Sequence, residues 1–248
     1  MEHLEPPVQS VPVSDLLLNV FSSPGDAFEG LKPSPARASV WLIPMIIVIL
    51  IASGFTYVMF TNPTLKDQFT QAQEQALQKS VDSGKITQAQ ADQQREGMEK
   101  MGGMFIAFGI IGSVIFFSIM FFGAALVLWL AGKMAMGSTA GYGKYLEIYG
   151  LSSWIGILGG IITLLMVIGM GSLYASPSAA LAVLSNYNAM DNVHKILSAL
   201  NIFSIWQAAV IGIGMGKIAD KSTGLGMGIA FGLWVVWVAI TVFLGFAR

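Results

Sequence analysis

Five stretches of the chain carry no charged side chain: Ala38–Leu65, Met101–Gly132, Ile148–Met190, Ile196–Gly216 and Ser222–Ala247. A bilayer hydrocarbon core about 30 Å thick needs roughly 20 apolar residues of helix to cross it. Each stretch meets that length. A single Lys, Arg or Asp at the centre of a span would cost about 2.5–3.5 kcal/mol, so their absence over such lengths reads as exposure to lipid. The pattern predicts an all-α polytopic membrane protein with five transmembrane helices, at approximately 40–60, 102–131, 148–170, 196–216 and 223–245. The remainder of the third stretch, residues 172–190, is apolar but short and interrupted by Pro177. It reads as a re-entrant or interfacial helix, because the residues run out before a sixth span is complete.

The polar segments between these runs have patterns of their own. Residues 61–100 hold five basic and six acidic residues and are rich in Gln and Ala, which favour helix. Leu65, Phe69, Ala72 and Ala76 form a thin apolar stripe. Ser83-Gly84 reads as a stop, and Thr87 with Gln90 has the spacing of a capping box. The expectation is an extramembrane helical hairpin between the first and second spans, either simply solvated or binding a partner. Residues 1–37 form an amino-terminal tail. Its first 13 residues contain three prolines and no helical period, which predicts an unstructured lead. Behind Ser14 as a candidate N-cap, Leu16, Leu17, Val20 and Phe21 recur at helical spacing, and Pro24 opens a second turn bearing Phe28 and Leu31. With Asp26, Glu29 and Lys32 on the opposite side, these are short interfacial helices of the headgroup layer or a linker packed on loops.

Composition sharpens this picture at a few points. At 54% hydrophobic and 11% charged, the chain departs far from the roughly 25% charged residues of soluble domains. A formal net charge of -1 supplies no basic field for nucleic acid. Without cysteine there are no disulfides, no thiolate chemistry and no cysteine-ligated metal. The first apolar run is too long for a signal-peptide core and reads as an uncleaved span. Lys32 and Arg37 precede the first span, Lys133 and Lys144 separate the second from the third, and Lys217 and Lys221 separate the fourth from the fifth. With five spans these positions share one side, while the connection between the third and fourth offers only Lys195 near Asp191. The positive-inside rule then places the amino terminus in the cytoplasm and the carboxyl terminus, at Arg248, outside.

Catalytic patterns are missing. The two histidines, His3 and His194, assemble neither a zinc helix nor paired imidazole ligands, and the sequence holds no nucleophile elbow and no phosphate loop. The expectation is therefore no catalytic residue, no metal and no cofactor; His194 beside Asp191 reads as a surface pair or, less simply, a base. Glu147, at the mouth of the third span, is either an interfacial carboxylate beside Lys144 or the start of an ion pathway. Gly156 and Gly160, Gly212 and Gly216, and Gly224, Gly228 and Gly232 recur at four-residue spacing, which puts each set on one helix face and admits a neighbouring backbone. Such faces serve packing within the chain or an interface with a partner or a second copy. Asn201, Ser204 and Gln207 add polar groups to the fourth span, for hydrogen bonds between helices or a polar path.

Three segments carry a family resemblance: VFSSPGDAF before the first span, LAGKMAMGSTAGYGKYLEIYGLSS around the second connection, and LNIFSIWQAAVIGIGM in the fourth span. In the order and spacing of Phe21, Pro24, Phe28, Asn201, Phe203, Trp206 and Gly214, the chain resembles the Yip-one family of Ypt/Rab-interacting membrane proteins, in its bacterial branch. The resemblance implies a five-span helical bundle with a cytoplasmic amino terminus. Eukaryotic members are implied in vesicle trafficking with small GTPases, but this chain lacks their long cytoplasmic domain, and bacterial relatives are associated with ABC-type exporters. The implied function is a non-enzymatic scaffold or accessory subunit of the bacterial inner membrane, with membrane lipids, an ABC-type exporter or a second copy as partners and no nucleic acid. The alternative is a transporter, channel or lipid-translocating protein that uses the polar residues of the fourth span.

Overall fold

The computed structural model describes residues 11–101 and 104–243; the expected lead before residue 11, the first two residues of the second span and the end of the fifth lie outside them. The described chain is helical throughout, in the order α1 (Val13–Ser22), α2 (Pro24–Glu29), α3 (Ala38–Thr61), α4 (Pro63–Asp82), α5 (Gln88–Met101), α6 (Met104–Met136), α7 (Tyr142–Met170), a 3-10 helix (Ala179–Asn186), α8 (Asn192–Ala199), α9 (Ile202–Ile218) and α10 (Thr223–Phe243). Among the described residues, α3, α6, α7 and α10 are long and apolar enough to cross a membrane. Most of their surface is open to the surroundings, with Leu50, Phe108, Ile119, Leu165 and Val235 all more than half exposed. In water this would drive aggregation; in a bilayer it is the solvated face.

Close approaches at glycines fix the helix directions. Gly150 lies against the Trp41 backbone and Gly160 against Ile51, so α3 and α7 run the same way. Gly109 meets Thr56 and Gly132 meets Tyr145, which sets α6 antiparallel to both. Gly159 against Phe203 and Gly214 against Ile148 make α9 antiparallel to α7, and Gly212 against Met227 makes α10 antiparallel to α9. The bundle thus has one end where α3, α7 and α10 begin, bearing Lys32, Arg37, Lys133, Lys144, Lys217 and Lys221, and a second end where the α4–α5 hairpin stands. We refer to these as the basic end and the hairpin end.

The fourth span differs from its expected course. Instead of one helix over 196–216, the chain forms α8, breaks at Leu200–Asn201 and restarts as the 17-residue α9. The reason is local: the Asn201 side chain accepts the N–H groups of Phe203 and Ser204, so it ends one helix and caps the next. The break is paired in the backbone with the segment before the 3-10 helix. Ala179 N–H donates to the Leu200 carbonyl at 3.2 Å and Ile202 N–H to the Pro177 carbonyl at 3.1 Å. Phe203, in the first turn of α9, packs on Gly159, eleven residues before Met170 at the end of α7. The break therefore lies about 16 Å below the hairpin end of α7. Irregular backbone at such depth survives only when its polar groups are bonded within the protein, as these are.

The amino-terminal helices also differ from their expected place. Helix α1 begins at Val13 behind Pro12 rather than at a Ser14 cap, and the Ser14 hydroxyl donates to Asp15 instead. Leu16, Val20, Phe28 and Leu31 are fully buried against Tyr145, Ile148, Ile155 and Met215. They are packed into protein rather than offered to lipid headgroups. Phe21 reaches Trp206, twelve residues or roughly 18 Å of helix from Ile218 at the basic end of α9, so α1 climbs beside the bundle before α2 turns back. Pro24 at the first turn of α2 makes the reversal, since it needs no N–H partner there.

At the opposite end, Asn62 caps α4 through the Leu65 N–H, and Gly84, with φ of 70°, takes the left-handed turn that stops the helix. The Thr87 and Gln90 pair forms a reciprocal cap: the Thr87 N–H donates to Gln90 and the Gln90 N–H to the Thr87 hydroxyl.

A buried charge cluster as candidate functional site

Arg37 and Glu147 stand 110 positions apart in sequence and meet at the basic end. Glu147 is fully buried. Its Oε1 accepts the main-chain N–H of Arg37, the N-cap of α3, at 2.8 Å, and its Oε2 accepts Lys144 Nζ at 2.7 Å. Lys144 also donates to the Leu31 carbonyl at 2.5 Å. A carboxylate taken out of water loses several kcal/mol of solvation, which only a partner charge and filled lone pairs offset. Here both oxygens are engaged, so Glu147 joins α7 to the start of α3 and to the chain after α2.

Arg37 itself is less completely satisfied. Its Nη1 donates to the Val11 carbonyl at 2.7 Å, whereas Nε and Nη2 are buried without a partner among the described residues. Beside this cluster, a second group of charges ties α2 to the α9–α10 turn. Lys32 reaches Asp220 at 2.6 Å and Glu29 at 3.0 Å, and Lys217 lies 3.4 Å from Glu29. The hydrogen bond from Lys32, helped by Lys217, holds the Glu29 carboxyl below its ordinary range against a partial opposing effect of burial. Asp220 first, then Glu29, raise Lys32 above the ordinary lysine range.

The glycine faces separate into two kinds. Gly212 and Gly216 lie against the backbone of Met227 and of Ser222–Thr223, Gly156 against the Gln207 side chain, and Gly160 against Ile51. Gly224, Gly228 and Gly232 have none of the described residues within 4 Å of where a Cβ would sit. The close approach expected there is made instead by Gly226, which receives the Gly212 carbonyl. Two residues along a helix turn the side chain through about 200°, so Gly226 faces α9 and the other three face outward. Sequence spacing missed Gly132, Gly150, Gly159, Gly214 and Gly226, because a close approach needs one small residue at the crossing point and no repeat.

The polar residues of the fourth span do not converge. The Asn201 oxygen bonds its own helix rather than a neighbouring one, Ser204 is exposed, and Gln207 faces Gly156. At the hairpin end, His194 Nδ1 accepts the Asn188 N–H at 2.9 Å within a stack of Tyr174, Tyr187 and His194. Asp191 bonds the main-chain N–H of His194, and that of Val193, as the cap of α8 rather than the imidazole. Among the described residues no three His, Asp or Glu side chains gather as metal ligands.

Comparison with known proteins agrees with this architecture. Residues 18–246 match the Yip1 domain family. The chain is similar to "Membrane protein YknW" of Bacillus subtilis (strain 168), at 30% identity over 226 residues covering 89% of this chain and 87% of the relative. No solved structure matches it. Four membrane-length apolar helices, a matching membrane protein and a family match across nearly the whole chain lead to one conclusion: this is an integral membrane protein that belongs to the Yip1 domain family, in its bacterial branch.

Proposed function

We propose that the protein is a non-enzymatic scaffold or accessory subunit of the bacterial cytoplasmic membrane. It crosses five times, with α8 and α9 together as the fourth crossing, the basic end in the cytoplasm and the carboxyl terminus outside. The observation that carries this reading is the outward glycine face of α10. Gly224, Gly228 and Gly232 leave a strip where a helix from another chain approaches backbone to backbone, and none of the described residues fills it. The partner is a membrane protein such as the ABC-type exporter that the family resemblance implies, or a second copy.

One feature supports the alternative of a conduit, since broken helices with their ends at bilayer depth are the usual site builders of transporters. The side chains at this break weigh against it, because Asn201 is used as a cap and Ser204 and Gln207 do not line a common path. Copurification from native membranes with mass spectrometry tests both readings. Gly228→Leu is expected to release the associated protein while the released chain keeps its own elution and melting behaviour. A Gly228→Leu protein that keeps its associates, or a wild-type protein that elutes alone and carries solute in vesicles, overturns the scaffold.

A further inference from the structure

The excursion of the chain from Pro177 to Ile202 is closed at both of its ends. At the inner end the main chain does this, pairing Ala179 with Leu200 and Ile202 with Pro177. At the outer end, residues 187–191, side chains do it. The Ser198 hydroxyl of α8 donates to Tyr187 Oη at 3.0 Å, and the rings of Tyr174, Tyr187 and His194 stack with centroids 4.4 and 5.5 Å apart. The Asn188 N–H donates to His194 Nδ1 at 2.9 Å. Asn188 also shapes the entry to α8: its side-chain oxygen accepts the Met190 N–H and its carbonyl the Asp191 N–H, which brings Asp191 to the cap.

Of these contacts, the one at Nδ1 depends on the protonation of a ring. An imidazole nitrogen accepts a hydrogen bond through its lone pair, so the form that holds Asn188 is neutral, with its proton on Nε2. Imidazolium carries a proton on both nitrogens, and Nδ1–H would face the Asn188 N–H, donor against donor. Histidine is the side chain suited to make this change between about pH 5 and 8. Facing the ring are Tyr187 and, beyond it, Tyr174, whose hydroxyl is pushed above the ordinary tyrosine range by burial, helped by Tyr187. On α8 itself, Asp191 spends its Oδ1 on the main-chain N–H groups of Val193 and His194, and Lys195 is the neighbouring cation. The two helices packed on α8, the 3-10 helix and α10, contain no ionisable side chain.

We propose that His194 is a proton-sensitive latch at the hairpin end: as neutral imidazole it ties residues 187–191 to α8, and on protonation it lets them go. The paired backbone at Leu200–Asn201 stays closed and acts as the hinge. This device goes beyond the scaffold reading and is independent of the α10 face. In the proposed orientation it faces the outside, where acidity follows the medium.

Hydrogen–deuterium exchange of the full chain in detergent tests the latch, at about pH 8 and about pH 5 with each rate corrected for the intrinsic chemistry at that pH. In the wild type, protection of residues 187–191 is expected to fall by about three- to tenfold in acid, as befits the loss of one hydrogen bond, while the α4–α5 turn keeps its protection. His194→Phe retains a flat ring for the stack and has neither the acceptor nor a titrating group. It is expected to exchange rapidly in this segment at both pH values. Four outcomes each overturn the proposal: equal protection of the wild-type segment at both pH values, an equal acid loss at the α4–α5 turn, a His194→Phe segment as protected as the wild type at the higher pH, or an acid response that persists in His194→Phe and so belongs to Asp191.

Discussion

The two ends of the bundle are held together by different means. At the basic end, Leu16, Val20, Phe28, Leu31, Tyr145, Ile148, Leu151, Ile155 and Met215 are all buried within one cluster to which α1, α2, α7 and α9 contribute. At the hairpin end the corresponding cluster has only Leu65, Val167 and Ala175 fully buried. Their most buried ion pairs differ in the same sense. Lys144–Glu147 joins a carboxylate with no exposure, whereas Arg95–Glu74, which ties α4 to α5, and Arg95–Asp92, within α5, use carboxylates more than half exposed. Lipid tails are as apolar as leucine, so burial drives helix association only where water would otherwise reach. The amino-terminal helices add a buried apolar cluster to the basic end. The hairpin end has no such addition, and its helices meet at a few small residues.

The largest expected effect tests that asymmetry directly. Glu147→Ala strands Lys144 and the Arg37 N–H in a buried site, and loss of one partner of such a pair typically costs about 3–5 kcal/mol. Arg95→Ala removes two ion pairs at the hairpin end but leaves only solvated carboxylates behind. Thermal unfolding in detergent, followed by helical circular dichroism, should show a large fall in midpoint for the first and almost none for the second. Equal falls would mean that the two ends are alike in stability and that the comparison fails.

Much of this fold was legible in the chain, and the misses share a cause. The four long helices follow from runs free of charge, the α4–α5 turn from Ser83-Gly84 and Thr87 with Gln90, and the start of α2 from Pro24. Local chemistry decides all of these. The burial of α1 and α2 was not legible, because Leu16 and Val20 have the same helical spacing whether lipid or protein covers them. The role of Arg37 was hidden likewise: its partners Val11 and Glu147 are brought to it by the segment before α1 and by α7. Lys144 and Glu147 at i and i+3 were a visible signal of a pair, though not of its burial. At Asn201 one sequence signal is compatible with two structures. An Asn within an apolar run serves as an interhelical hydrogen bonder or a cap, and here the cap prevails because Pro177 and Leu200 supply carbonyls that bond the broken backbone.

That cap yields the next largest effect. Asn201→Ala removes the acceptor for Phe203 and Ser204 N–H, a loss of about 0.5–2 kcal/mol for an N-cap. Because the break lies on the loosely packed side of the bundle, the damage should remain local. Hydrogen exchange should quicken in the first turn of α9 and in the 3-10 helix, with the basic-end helices unchanged. Exchange that rises throughout the bundle would show that the two ends unfold as one unit.

The smallest effect concerns the clamp of Glu29, Lys32, Lys217 and Asp220, which is exposed enough for salt to screen it. A carboxyl held below its ordinary range stabilises the fold fully above that range and loses its contribution as pH falls through its lowered value. A raised lysine behaves in the opposite way: its contribution is complete below the ordinary lysine range and fades as pH rises through the raised value. The clamp should therefore act across the neutral interval and weaken at both extremes. Comparing Glu29→Gln with the wild type isolates the acid side, because the variant has no carboxyl to protonate. The difference in unfolding midpoint between the two should be steady near neutrality, shrink below the carboxylate range and diminish with added salt. If it stays constant into acid, the connection between α2 and α9 rests on Phe28 against Gly214 alone, and charge has no part in holding the amino-terminal helices to the bundle.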